Sequence, residues 1–106
     1  MNVLFLSPSW PPEMNGYVQG LARVGATVLG VGDGPRGGLP KGTHEALAAY
    51  LRVPAILDED DVIARIEQAM PRPPDRVEAL WEPVMGLAAR LRERWGLPGL
   101  DVATTR

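Results

Sequence analysis

Two kinds of apolar pattern alternate along the chain. Val3-Leu4-Phe5-Leu6 is unbroken, and Ala26 to Val31 (Ala-Thr-Val-Leu-Gly-Val) is nearly so. Runs without polar alternation, bounded by turn residues, predict strands covered on both faces, as in parallel α/β sheets. Between them Val18, Leu21 and Ala22 share one face of a helix predicted over about Asn15 to Val24, and Gly25 suits the left-handed residue after it. Further on, Thr43 is predicted to cap a short helix that turns Ala46, Leu47 and Tyr50 inward, followed by a brief strand, Leu51-Arg52-Val53, ended by Pro54. Asp58 is the predicted N-cap of the next helix. Glu59, Asp60 and Asp61 occupy its first turn, where the helix dipole favours carboxylates, and Val62, Ile63, Ile66, Ala69 and Met70 form its apolar stripe. Pro71-Arg72-Pro73-Pro74 stops it. Arg76 to Trp81 predicts the last strand, and Pro83 suits the first helical position beyond it. Val84, Leu87, Ala88, Leu91 and Trp95 then line the inner face of a helix closed by Gly96, with Arg90, Arg92, Glu93 and Arg94 on the wet side. This order of elements implies a three-layer α/β/α sandwich on a short, mostly parallel sheet.

Composition narrows the function. The 106 residues fit one compact domain, too small for two lobes with a cleft between them. The absence of cysteine excludes disulfides, thiolate–zinc sites and cysteine nucleophiles. A formal charge of −2 gives no electrostatic footprint for nucleic acid. The apolar start lacks a basic flank and stops at Ser7-Pro8, so it is no signal peptide, and no apolar run approaches the roughly 18 to 20 residues of a membrane span. A cytoplasmic, soluble domain is the expectation, with no nucleic-acid or membrane partner.

Ligands of open parallel sheets bind beyond the carboxyl ends of the strands. Three segments are expected on that edge: Ser7 to Gly16, Gly32 to Gly42, and Glu82-Pro83. The second contains a literal G-x-G-x-x-G, Gly32-Asp33-Gly34-Pro35-Arg36-Gly37. A pyrophosphate fingerprint needs a helix starting inside the glycine run, which Pro35, Gly37-Gly38 and Pro40 prevent, so a flexible surface loop is expected instead. In the first segment Ser7 and Ser9 stand beside Trp10 and Glu13, without a neighbouring base to make either serine a nucleophile. Glu82 sits where an acid either caps helix amides or faces a ligand. Glu78, inside the last strand, needs a partner or an open sheet face. His44, the only histidine, has no companions at metal-ligand spacing, and the Asp58–Asp61 run lacks the spacing and glycine of a calcium loop, which leaves it as a solvated helical turn. Neither a metal site nor a catalytic residue is expected in this chain.

Two family resemblances follow from the residues. Leu4-Phe5-Leu6-Ser7-Pro8-Ser9-Trp10-Pro11-Pro12-Glu13 resembles the opening of a GT-B retaining glycosyltransferase, over about a dozen residues only. The second covers nearly the whole chain. The strand Asn2–Ser7 with its Pro-Pro loop, Val28-Leu29-Gly30-Val31-Gly32-Asp33, Leu39-Pro40, Tyr50-Leu51-Arg52-Val53, Leu80-Trp81-Glu82, Ala88 with Leu91-Arg92, and Trp95-Gly96-Leu97-Pro98-Gly99 resemble the N-terminal pre-ATP-grasp domain of ATP-grasp proteins. The likeness is to their biotin-carboxylase-like and carbamoyl-phosphate-synthase-like branch. That resemblance implies a Rossmann-like accessory domain over residues 1–97 and, over 98–106, the start of a linker to ATP-grasp lobes. It implies that a full-length parent is a ligase using ATP and Mg²⁺, that this chain holds no cofactor and is inactive alone, and that its partners are those lobes. By strand polarity Ser7, Ser9, Trp10, Asp33 and Glu82 are then expected to face the substrate cleft. Apolar surface at Leu97, Pro98, Leu100 and Val102 is expected to drive homo-oligomer formation in the isolated chain. The alternatives are an acceptor-lobe fragment of a glycosyltransferase and a free-standing α/β interaction domain. The substrate is not legible.

Overall fold

The computed structural model describes residues 1–8, 12, 14–79 and 81–99. Four strands, β1 (Asn2–Leu6), β2 (Thr27–Gly32), β3 (Leu47–Arg52) and β4 (Arg76–Glu78), form one parallel sheet in the order β3-β2-β1-β4. Helices α1 (Met14–Arg23) and α2 (Lys41–Ala46) belong to the β1-to-β3 half of the chain, and α3 (Glu59–Ala69) and α4 (Glu82–Trp95) to the other half. The strand pairings divide the side chains between two faces. Phe5 and Val28 pack with Val18 of α1 and with Leu47, whereas Leu4, Leu6, Val31 and Val77 pack with Val62, Ile63 and Ile66 of α3 and Val84, Leu87, Ala88 and Leu91 of α4. The sandwich expected from the sequence is therefore the fold, and Val3 to Leu6 are buried because each alternate residue meets a different helical layer.

Local chemistry explains most element ends. Gly25, at φ 89°, and Gly96, at φ 65°, take left-handed conformations after α1 and α4. The Asp58 carboxylate accepts from the Asp61 amide at 3.5 Å at the start of α3. At the end of α4, the Leu97 amide bonds the Arg92 carbonyl at 2.8 Å, and Leu97 packs against the α3–α4 core instead of standing out as apolar surface.

Several expectations are corrected. Thr43 lies inside α2, fully buried, and donates to Asn15 Oδ1 at 2.5 Å; it does not cap the helix. The stretch Leu47 to Tyr50 is strand, because β3 starts at Leu47 and pairs along β2 with a bulge at Ala48. β4 covers only Arg76–Glu78, and Trp81 is the residue before α4. Pro83 is the second residue of α4, after Glu82. The acidic turn of α3 is not merely solvated: Arg90 binds Glu59 at 3.1 Å and Asp60 at 2.7 Å, and Arg65 binds Asp61 at 2.8 Å. Arg92 turns inward, its Nε and one terminal nitrogen donating to the Val77 carbonyl at 3.0 and 2.7 Å. Among the described residues, no helix is long and apolar enough to cross a membrane.

Candidate functional site

The strand order reverses at β1, whose neighbours are β2 on one side and β4 on the other. Crevices outside the carboxyl ends of strands at such a reversal are the ligand sites of open parallel sheets. A cleft of about 270 Å³ lies there. Ser7 and Pro8 enter it from the end of β1, Gly32, Asp33 and Gly34 from β2, Tyr50 from β3, Ile56 from the turn beyond β3, and Trp81 from the junction before α4. A second concavity of about 210 Å³, between β3 and the end of α3, is lined by Leu4, Leu29, Ala49, Leu51, Ile66 and Met70, among other uncharged residues. Having no ionisable lining except Tyr50, it offers little for chemistry.

The walls of the cleft are fixed by backbone bonds. The Ser7 amide donates to the Val31 carbonyl at 2.8 Å, which prolongs the β1–β2 ladder by one residue. Ser7 then takes φ 55°, a left-handed conformation that costs a non-glycine residue roughly 1 to 2 kcal/mol, and turns the chain off the sheet. Across the cleft, the Val53 amide donates to the Gly32 carbonyl at 2.9 Å and the Ile56 amide to Asp33 Oδ2 at 3.2 Å. The Tyr50 hydroxyl donates to the Gly34 carbonyl at 2.7 Å. Burial and then the nearby Asp33 carboxylate raise the Tyr50 pKa above its ordinary value, against a smaller opposing effect of Arg52.

The groups that would make this edge a phosphate site are otherwise engaged. Arg36 points back into the fold, donating to the carbonyls of Leu47 at 3.0 Å and His44 at 3.5 Å. The Gly38 and Leu39 amides bond the Pro35 and Arg36 carbonyls in a 3₁₀ turn over Arg36–Gly38, so the glycine segment lies at the surface, as expected, and contains one turn of 3₁₀ helix. At the start of α4, Pro83 has no N–H and the Val84 amide bonds the Trp81 carbonyl at 3.0 Å. Among the described residues, no group of three or more His, Asp or Glu side chains is placed to hold a metal ion.

Of the residues expected at the cleft, Ser7 and Asp33 meet there. Glu82 is exposed at the first position of α4, beside Trp81, and does not line it. Ser9 and Trp10 lie outside the described residues. Glu78 is half-buried and opposite Phe5, on the α1 side of the sheet. Tyr50, Ile56 and Trp81 were not expected there. The signal that would have found Trp81 is its place immediately before Glu82-Pro83, at a strand-to-helix junction on the ligand edge.

No family model and no curated protein matches the chain. Among solved structures, the crystal structure of L-amino acid ligase from Bacillus licheniformis superposes with a TM-score of 0.74 at 23% identity, covering 98% of this chain and 26% of that one. At that identity the likeness shows a shared fold, and this chain spans about a quarter of the ligase's length.

Proposed function

We propose that this chain is the N-terminal accessory domain of an ATP-dependent carboxylate ligase of the ATP-grasp type, in the biotin-carboxylase-like and carbamoyl-phosphate-synthase-like branch. The cleft at the end of β1 would line the substrate site. One observation carries the reading: almost the whole chain takes the fold of one part of an amino acid ligase. The resemblance of Leu80-Trp81-Glu82 and of Trp95-Gly96-Leu97-Pro98-Gly99 to the end of the pre-ATP-grasp domain agrees with it.

A ligase of this kind activates a carboxylate with ATP and Mg²⁺ and passes the acyl group to an amine. Such chemistry needs cations on the phosphates and acids on the metal. The cleft does not fit those groups. Among the described residues Asp33 is its only carboxylate, Arg36 is turned away, and Lys41, the only lysine, is exposed on α2 near Glu45. The contribution assigned to this chain is therefore to shape and orient a substrate, and no bond-making step.

The test expresses the whole coding sequence that contains this chain and measures ADP release that depends on both a carboxylate and an amine. The 106-residue chain alone is titrated in parallel with Mg²⁺–ATP by calorimetry. Turnover by the whole protein with silence from the chain is expected. Mg²⁺–ATP binding by the chain, or no ATP turnover by the whole protein, would overturn the reading.

A further inference from the structure

We infer that the cleft at the end of β1 receives an organic ammonium group with a short apolar body, held between the Asp33 carboxylate and the Trp81 ring. This deepens the reading above by assigning the amine-bearing partner of the reaction, not the nucleotide, to this domain.

The charge of the lining supports it. Among the described residues that line the cleft, Asp33 is the only one with an acidic or basic side chain apart from the Tyr50 phenol, and the Glu82 carboxyl lies beside Trp81. Arg52 is exposed at the end of β3 next to Tyr50 and is not among the lining residues. The bond from the Ile56 amide fixes Asp33 in place, and an ionised carboxylate has further lone pairs to offer an ammonium donor. Trp81 is half-buried, packed on the α3–α4 core on one side while lining the cleft on the other. Indole is the best side-chain partner for a desolvated cation. Ile56 and Pro8 supply apolar wall for the body of the ligand.

Competing ligands fit less well. Phosphate is best held by cations or an open helix N-terminus, and here Arg36 donates to two carbonyls, while at the start of α4 Pro83 has no N–H and the Val84 amide is bonded. A divalent metal needs several hard oxygen ligands, and the described lining residues provide one carboxylate. A volume of about 270 Å³ lies just below the usual range for ligand pockets, which suits an amine the size of an amino acid.

The experiment titrates the isotopically labelled chain with isobutylammonium chloride at neutral pH, following amide and indole N–H signals. Isobutanol, inorganic phosphate and MgCl₂ are the parallel arms. Saturable shifts confined to Trp81, Ile56 and Gly34 are expected with the amine alone, at a dissociation constant in the millimolar range. Asp33→Asn keeps the acceptor for Ile56 and should weaken binding about tenfold, the loss of one charge-assisted bond. Trp81→Leu, checked for an intact fold by its amide spectrum, should weaken it as well. Equal shifts with isobutanol, an unchanged affinity in Asp33→Asn, saturation by phosphate or Mg²⁺ at the same signals, or no shift with the amine would each overturn the inference. Amine binding by the chain without ATP turnover in the whole protein defeats the ligase reading alone. Turnover without amine binding here defeats only this inference.

Discussion

Gly32 and Tyr50 form the tightest contact in the cleft wall, and one substitution tests it. A Cβ at Gly32 would stand 2.5 Å from the Tyr50 hydroxyl but 3.4 Å from the ring carbon that carries it. Gly32→Ala must therefore push the hydroxyl off the Gly34 carbonyl, to which it donates at 2.7 Å. Losing that bond costs about 0.5 to 1.5 kcal/mol, and displacing the ring from its rotamer costs about as much again. Replacing a strand glycine by alanine returns about 0.5 to 1 kcal/mol of backbone entropy. The net expectation is a destabilisation of about 1 kcal/mol, which for a domain near this size lowers Tm by roughly 4 to 8 °C.

The same substitution in a Tyr50→Phe background should reverse sign. Without the hydroxyl, the new methyl group meets only ring carbons at ordinary or slightly tight distances, and the backbone gain remains. Gly32→Ala is then expected to stabilise by about 0.5 to 1 kcal/mol. A double-mutant cycle by urea denaturation, read at constant m, measures both steps. If Gly32→Ala shifts stability by the same amount in both backgrounds, the hydroxyl is not what limits the space at Gly32, and the described cleft wall is wrong.

Three other outcomes are expected. Arg92→Met strips the Val77 carbonyl of both guanidinium bonds and should cost about 1 to 3 kcal/mol in urea denaturation, while Arg92→Lys should recover only part of it. Thr43→Val keeps the shape of a fully buried residue but removes its bond to Asn15, and a loss of about 1 to 2 kcal/mol is expected by thermal denaturation. Because the Tyr50 pKa is raised in the folded chain, the folded state holds the phenol proton more tightly than the unfolded state. Its contribution is therefore complete below the ordinary value of 10.0 and declines as pH rises through that value and the higher folded one. Tyr50→Phe should flatten the alkaline fall in stability relative to the parent, and an identical fall in both proteins would contradict the assignment.

What the sequence made legible depended on how local the cause was. Val3 to Leu6 and the stripe Val62, Ile63, Ile66 reveal their elements because burial on two faces and on one face leaves different periods. Ala46 to Tyr50 misled for the opposite reason. Alanine and leucine favour helix, yet pairing with β2 holds Leu47 onward as an edge strand, and the bulge at Ala48 changes which side chains share a face. Arg92 looked solvated because its Cα lies toward the wet side of α4, but its long stem lets the guanidinium reach the carbonyl of Val77. That Ser7 and Asp33 stand at the carboxyl edge follows from strand polarity alone, since each is the residue after the end of its strand. The places of Tyr50 and Trp81 in the cleft do not follow from it. Their convergence depends on the lateral order β3-β2-β1-β4 and on β4 ending at Glu78, neither of which is encoded in any local run.

The same topology explains why a sheet of this kind need not bind phosphate. In dinucleotide folds the first helix starts at the end of the first strand and aims its amides into the crevice. Here residues 7–13 separate β1 from α1, which begins only at Met14. The glycine segment after β2 offers no replacement, because Arg36 spends its guanidinium on the Leu47 and His44 carbonyls, where it ties the glycine turn to the α2–β3 junction. Freeing that arginine for an anion would cost the fold both of these bonds, each worth about 0.5 to 1.5 kcal/mol. With that cation committed to the fold, the carboxyl of Asp33 is the acidic group that the described lining residues present to the crevice, and the inferred ammonium site rests on it.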